Sequence, residues 1–290
     1  MSWRTIVISK RAKLDLQLGY MVVRSEEIIK IVLSEISTIL IESTAVSLTT
    51  SLLAELSKRK IKVIFCDEKR NPSAELVSYY GSHDTSNKIR KQIVWKKSTK
   101  EAVWTEIVTE KIRKQREFLE LLRKEESELL SLYLKEIDWN DATNREGHAA
   151  KVYFNALFGL DFTRTEDNFI NAALNYGYSI ILSAFTREIV ANGYLTQLGI
   201  FHDNMFNQFN LASDLMEPFR VLVDREAFSM KLVKFEHEDK MQLVNILNHE
   251  VEIDGKIQYV NNAIKIYCKS IFDALNEDDS SLIRFYKVEL

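Results

Sequence analysis

The sequence predicts an α+β protein: a small N-terminal β-sandwich-like domain over residues 1–80, then a larger all-helical domain over 81–290 that carries one β-hairpin. Three observations predict it. Glycine and proline are scarce, 8 and 2 of 290 residues, against typical usage of about 7% and about 5%, so helices run long and sharp turns are few. Apolar residues follow period two before residue 71 and recur at three and four beyond residue 87. With 46% hydrophobic and 28% charged residues, the chain can bury a sizeable core and is not a disordered one.

Taken in order, Thr5-Ile6-Val7-Ile8 is a β-branched run. Leu14, Leu16 and Leu18 alternate with polar residues, Gly19 interrupts, and Tyr20-Met21-Val22-Val23 resumes, which predicts a hairpin. Ile28–Leu33 and Ile39–Ile41 are further strands, Ser51–Arg59 is a short helix with Leu52, Leu53 and Leu56 on one face, and Lys62–Cys66 is a buried strand. Two packed sheets and one helix account for these pieces. Asn71–Asn87, with Pro72, Gly81 and a polar run, reads as the linker. Beyond it Trp104, Ile107, Val108, Ile112, Leu119 and Leu122, with Lys and Glu between them, predict a long amphipathic helix. Further helices are expected over Gly147–Phe158, Asn168–Val190 and Ala263–Leu275. Asp254-Gly255 between alternating apolar residues predicts a hairpin.

Composition excludes several function classes. Cys66 and Cys268 are the only cysteines, so there is neither a disulfide framework nor a cysteine-based zinc site. The N-terminus lacks a signal-peptide pattern and no stretch reaches the roughly 20 apolar residues of a membrane span, so a cytoplasmic protein without a membrane partner is expected. A Gly-rich phosphate loop and a G-x-S-x-G elbow are both missing. Net charge is −3, but residues 1–125 are basic (24 Lys/Arg against 16 Asp/Glu) and 126–290 acidic (15 against 26). That asymmetry suits a polyanion on one part of the surface, or simply an uneven solvated surface.

Three fragments carry candidate chemistry. In Asn144-Arg145-Glu146-Gly147-His148-Ala149-Ala150, Asn144 can cap a helix whose first turn holds Glu146, either as a ligand or as a complement to the helix dipole. In Leu198-Gly199-Ile200-Phe201-His202-Asp203, the histidine is either a ligand or a hydrogen-bonded core residue. In Asp214-Leu215-Met216-Glu217-Pro218-Phe219-Arg220, a helix would put Asp214 and Glu217 on one face, either as ligands or as solvated charges paired with Arg220.

Together, E-G-x-A-A-x-x-Y-F from Glu146, Asn171-x-x-Leu174-Asn175-Tyr176-Gly177-Tyr178, G-x-x-H at Gly199–His202 and D-x-x-E-P-F-R at Asp214–Arg220 resemble the CRISPR-associated endonuclease "Cas one", the catalytic integrase subunit of spacer acquisition. The resemblance runs through the whole chain. The wording around Phe65–Arg70 and Gln208–Asn210 is most similar to the form that accompanies a single RNA-guided effector nuclease. Where the family often has an Asp-Pro turn before G-x-x-H, this chain has Thr196-Gln197-Leu198.

The resemblance implies that Glu146, His202 and Glu217 are catalytic metal ligands and that Asp214 supports them; it assigns no DNA-contact residues. It implies a metal-dependent integrase inserting 3′-OH DNA fragments into a repeat array. It also implies a homodimer through the β domain, a small adaptation partner subunit completing a heterohexamer, and association with the effector nuclease and an accessory adaptation protein. Two carboxylates and an imidazole suit Mg²⁺ or Mn²⁺ better than a soft metal. Two other readings of the residues remain open. One is a helical phosphohydrolase using His202-Asp203 with His148 and Asp224. The other is a non-catalytic DNA-binding scaffold whose footprint is Lys88, Arg90, Lys91, Lys96, Lys97 and Lys100 with Trp95.

Overall fold

The computed structural model describes residues 4–78 and 82–287; Gly81 and the expected domain boundary at 80/81 lie outside them. Six strands and a helix open the chain: β1 (Arg4–Ile8), β2 (Ala12–Gln17), β3 (Tyr20–Arg24), β4 (Ile28–Val32), β5 (Ile36–Ile41), β6 (Val46–Leu48) and α1 (Thr50–Lys58). Then come β7 (Lys62–Cys66) and β8 (Pro72–Glu75). They form two four-stranded sheets, ordered β1-β5-β7-β8 and β4-β3-β2-β6. The β2–β3 hairpin turns at Leu18 and Gly19, both at positive φ, the backbone a tight hairpin needs. Leu14, Met21, Ile36, Ile39, Leu52, Leu56 and Val63 are sealed between the sheets and α1. Thr49 caps α1 by accepting from the Leu52 amide at 3.4 Å.

Two expectations change here. The stretch read as the start of the linker is a strand: β8 pairs antiparallel with β7, and Pro72 is tolerated because it opens an edge strand. The β1-β5-β7-β8 sheet is also covered on both faces. Leu40, Ile64 and Cys66 belong to the core of the helical part, beneath a helix that contacts both β7 and β8. Lys62 pairs with Glu75, which also accepts from Ser183 Oγ of that helix at 3.0 Å.

The helical part comprises α2 (Thr85–Ile93), α3 (Lys97–Leu121), α4 (Glu126–Lys135), α5 (Arg145–Phe158), α6 (Phe169–Ala191), α7 (Asn210–Leu215), α8 (Arg220–Ser229) and α9 (His237–Asn245). The hairpin of β9 (Glu250–Ile253) and β10 (Lys256–Tyr259) leads into α10 (Val260–Glu277). Asp254 and Gly255 both take positive φ in that turn, as the Asp-Gly pair predicts. α6, the helix over β7 and β8, crosses α8 so closely that a Cβ at Gly177 would stand 2.4 Å from Val223 Cγ1. Helix α3 is central rather than amphipathic. It packs on α4, α5, α8 and α10, so Glu110, Lys111 and Lys114 are buried along with its apolar residues. Lys114 survives burial by pairing with Glu110 at 3.2 Å and Glu117 at 3.1 Å. Among the described residues no helix is long and apolar enough to cross a membrane.

Candidate active site

Glu146 is aimed by the start of α5. The cap is Asp141, not Asn144: Asp141 Oδ1 accepts from the Arg145 amide at 2.7 Å and Oδ2 from the Glu146 amide at 3.1 Å. Asn144 adopts a left-handed conformation and makes no side-chain capping bond. Instead its side chain lies over Gly147, where a Cβ would come within 2.8 Å of Asn144 Oδ1.

Glu217 opens a 3₁₀ turn, Glu217–Phe219, directly after α7. Both it and Asp214 are buried, so the solvated-face reading of this segment falls. Helix α7 ends at Leu215, and the two carboxylates serve different neighbours. Glu217 Oε1 pairs with Arg220 Nε at 2.9 Å and Oε2 accepts from Lys111 Nζ at 2.5 Å. The same Lys111 Nζ is 2.5 Å from Glu146 Oε1. Burial alone would push the Glu217 carboxyl up, but Arg220 and Lys111 outweigh it and hold the pKa below the ordinary range.

Asp214 organises the His202 loop. Its Oδ2 accepts from the amides of Ile200 at 2.6 Å and Phe201 at 3.1 Å, and its Oδ1 from the His202 amide at 3.1 Å. The same Oδ1 is 2.5 Å from His202 Nδ1. Donation from Nδ1 leaves the lone pair on Nε2, the tautomer a ligating histidine needs. That bond to Asp214 raises the pKa of His202 against desolvation, and the fields of Asp214, Glu217 and Glu146 add to it. Gly199 is required by close approach: a Cβ there would stand 2.2 Å from the His202 carbonyl oxygen and 2.8 Å from Asp214 Oδ2. Trp104 of α3 stacks on Phe201 at 4.4 Å and meets the His202 ring edge-on at 5.7 Å.

Side chains take over the work of the missing Asp-Pro turn. Gln92 Nε2 donates to the Leu195 and Leu198 carbonyls at 2.8 and 3.0 Å, and Gln92 Oε1 accepts from the Leu195 amide at 2.8 Å. Asn210 Nδ2 donates to the Gln197 and Asn204 carbonyls at 3.1 and 3.0 Å. Gln92 and Asp141 left no mark in the sequence, and Asn210 stood out only within the Gln208–Asn210 wording, with no role attached. Lys111 did leave a mark: it is in phase with Trp104, Ile107 and Val108, a charged residue on an apolar stripe.

Among the described residues no group of three or more His, Cys, Asp or Glu side chains is arranged so that it could hold a metal ion; between Glu146 and Glu217 stands the ammonium of Lys111. The donor set nevertheless fits a hard divalent ion. Its two carboxylates already share one cation, and its imidazole is oriented by a carboxylate behind it. The phosphohydrolase set fares worse. His148 is exposed beside the Tyr133 ring, while Asp224 is buried and accepts from the Tyr178 hydroxyl. The scaffold footprint loses Trp95, which stacks on Phe272 and donates to Asn276 Oδ1 at 3.1 Å. A groove of about 550 Å³ runs beside His202, lined by Lys97, Lys100, Asn140 and Phe201 among others.

Asp224 supplies a prediction. Burial pushes its carboxyl up to about 6, against the Tyr178 hydroxyl and the Arg220 charge. The folded chain therefore holds this proton between pH about 6 and 4 while the unfolded chain releases it, so the stability contributed here rises as pH falls through that window. Relative to Asp224→Asn, the wild type should gain about 2 kcal/mol between pH 7 and pH 4, most of the full linkage, since the unfolded carboxyl is itself partly protonated at pH 4. Urea denaturation of both proteins at the two pH values reads this directly, and a difference of opposite sign refutes it.

A family model described as "CRISPR associated protein Cas1" matches residues 5–241 of this chain. The CRISPR-associated endonuclease Cas1 of Neisseria meningitidis serogroup C (strain 8013) is 31% identical over 261 residues, 88% of this chain and 86% of that protein. Among solved structures, a casposase bound to integration product superposes with TM-score 0.76 at 19% identity, covering 97% of this chain and 93% of that one. A chain of a Cas6-RT-Cas1–Cas2 complex superposes with TM-score 0.74 at 19% identity, over 99% of this chain but 36% of that longer one. At these identities the two structures speak to the fold alone.

Proposed function

This chain belongs to the CRISPR-associated protein Cas1 family, and from that premise we propose that it is a metal-dependent DNA integrase that joins the 3′-hydroxyl of a short DNA fragment to a repeat border. The observation that carries the reading is the pair of carboxylates, Glu146 and Glu217, meeting at one cation beside a histidine tautomer set by Asp214. Glu146, Glu217 and His202 Nε2 would hold Mg²⁺ or Mn²⁺, which supplies Lewis acidity toward a phosphodiester.

The rest follows from the chain's own side chains. Arg220 fixes Glu217, and Asp214 fixes both the His202 ring and the backbone beneath it. Lys97 and Lys100 line the groove along which a phosphate backbone would reach His202. In the reaction the attacking 3′-oxygen forms a new P–O bond and gives up its proton, while the repeat strand's 3′-oxygen leaves and takes one up. One phosphodiester forms as another breaks, so no ATP is needed. The test is a gel assay with the chain, its small partner subunit, a duplex fragment and a repeat-bearing plasmid. Joined product is expected with 3′-OH ends and none with 3′-deoxy ends. Equal product from both ends, or no product in Mg²⁺ and Mn²⁺, would sink the reading.

Two predictions attach to partners. Lys97→Glu with Lys100→Glu should weaken binding to duplex DNA and lower its salt slope by about 0.9 for each phosphate left without its lysine. Fluorescence anisotropy at several salt concentrations measures that slope, and an unchanged slope removes the groove from the DNA path. The proposed homodimer is supported by β4, an edge strand that leaves Ile28 and Ile29 largely exposed, a surface that monomers rarely tolerate. Light scattering should give twice the chain's mass, and Ile29→Lys should shift it toward monomer.

A further inference from the structure

Lys111 has no part in the reaction as derived, yet it occupies the centre of the site. It projects from α3 with 8% of its side chain exposed, and its ammonium reaches Glu146 Oε1 and Glu217 Oε2, each at 2.5 Å. Burying an ammonium costs several kcal/mol unless partners compensate it, so these two carboxylates are what keep Lys111 in place. The dependence is mutual. Without Lys111, two carboxylates would face each other, and only Glu217 has Arg220 to offset it.

Counting charge shows what a divalent ion would meet. Glu146 and Glu217 contribute two negative charges, Lys111 and Arg220 two positive ones, and the group is neutral. An ion entering between the same oxygens brings two further positive charges next to the ammonium. Like charges held by the same buried oxygens repel strongly, because little water stands between them to screen the interaction. The ammonium and the ion therefore cannot both hold Glu146 and Glu217.

We propose that Lys111 is a tethered counter-ion: it holds Glu146 and Glu217 together in the ion-free chain, and it gives up both carboxylates when a divalent cation enters. Lys111 is thus a positioning residue that sets the ion's affinity. The inference rests on the reading that Glu146 and Glu217 bind a divalent ion.

The test needs no DNA. Mn²⁺ alone is titrated by calorimetry into the full-length chain, Lys111→Met, Lys111→Gln and Glu146→Ala, with circular dichroism verifying the fold of each. Both Lys111 variants should bind Mn²⁺ at least about tenfold more tightly than wild type, since a like charge has been removed. In EDTA they should melt earlier than wild type, and Mn²⁺ should raise their midpoints more. A lysine that merely braced the fold would lower the midpoint without tightening Mn²⁺. If both variants fail to fold, Mn²⁺-soaked wild-type crystals decide: Lys111 Nζ should lie more than about 3.5 Å from both carboxylates, beyond hydrogen-bond reach. Mn²⁺ that is lost in Glu146→Ala but bound equally or more weakly by the Lys111 variants overturns the proposal and leaves the metal site standing. So does an ion on Glu146 and Glu217 with Lys111 still bonded to both. If no protein binds Mn²⁺ at Glu146, the metal reading falls and this inference falls with it.

Discussion

Glu146→Ala and His202→Ala are each expected to abolish strand joining, with losses above the 10–100-fold that typify residues merely supporting a metal ligand. Both side chains are partly exposed, 24% and 41%, so their removal should leave the fold intact. His148→Ala should retain most activity, because His148 faces solvent beside Tyr133. Glu217→Ala is a poorer probe. Glu217 is buried between Lys111 and Arg220, and deleting it takes the carboxylate partner from Arg220 and one of the two from the buried Lys111, which destabilises the fold. Lost activity in that variant would mix misfolding with missing chemistry. The gel assay on Glu146→Ala, His202→Ala and His148→Ala is therefore the clean comparison. An inactive His148→Ala beside an active Glu146→Ala would place the chemistry elsewhere.

The second large effect is expected at Asp214, which touches no substrate in the proposed reaction. Asp214→Ala removes the acceptor of three backbone amides and of the His202 ring at once. Buried donors left unpaired cost about 1–3 kcal/mol each, so the Gly199–His202 loop should lose its shape. Joining should fall about 10–100-fold. Asp214→Asn, although isosteric, should be no rescue. Each Asp214 oxygen accepts two bonds, and an amide would set its NH₂ against donors on one side. Hydrogen exchange reads the cause directly: the amides of Ile200, Phe201 and His202 should be protected in wild type and open in both variants. Retained protection in Asp214→Asn would mean the carboxylate charge matters less than its shape. Gly199→Ala should act on the same loop, since its Cβ would collide with backbone and not with a flexible side-chain tip.

Much of the fold is legible in the sequence. The β2–β3 and β9–β10 hairpins, the buried strand β7 and the long helices α3, α5, α6 and α10 each carry a periodic signal or a turn pair within one continuous stretch. Shorter pieces escaped. β6 has three residues and β8 begins with proline, so neither shows an alternation long enough to recognise. In α8 the buried residues Val221, Leu222, Val223 and Asp224 are consecutive, because the helix is enclosed on several sides, and the 3.6-residue period vanishes.

The site divides in the same way. Glu146, His202, Glu217 and Asp214 were legible in sequence because they stand in short local motifs whose wording is specific as a set. Their roles toward one another were not. That Asp141 and not Asn144 caps α5, that Asp214 turns from Glu217 to hold the His202 loop, and that Gln92 and Asn210 replace an Asp-Pro turn are interactions between residues up to 106 positions apart. Lys111 is the plainest case. Its place on an apolar stripe is written in sequence, but only the packing of α3 against α5 and the Glu217 turn makes it the shared partner of two carboxylates. Local chemistry by itself determined most of the strands, the hairpins and the long helices, since these depend on neighbours a few residues away. Tertiary structure alone decided which charges are buried and what pairs with them, because the energy of a buried charge is set by partners that the chain brings from far along its length.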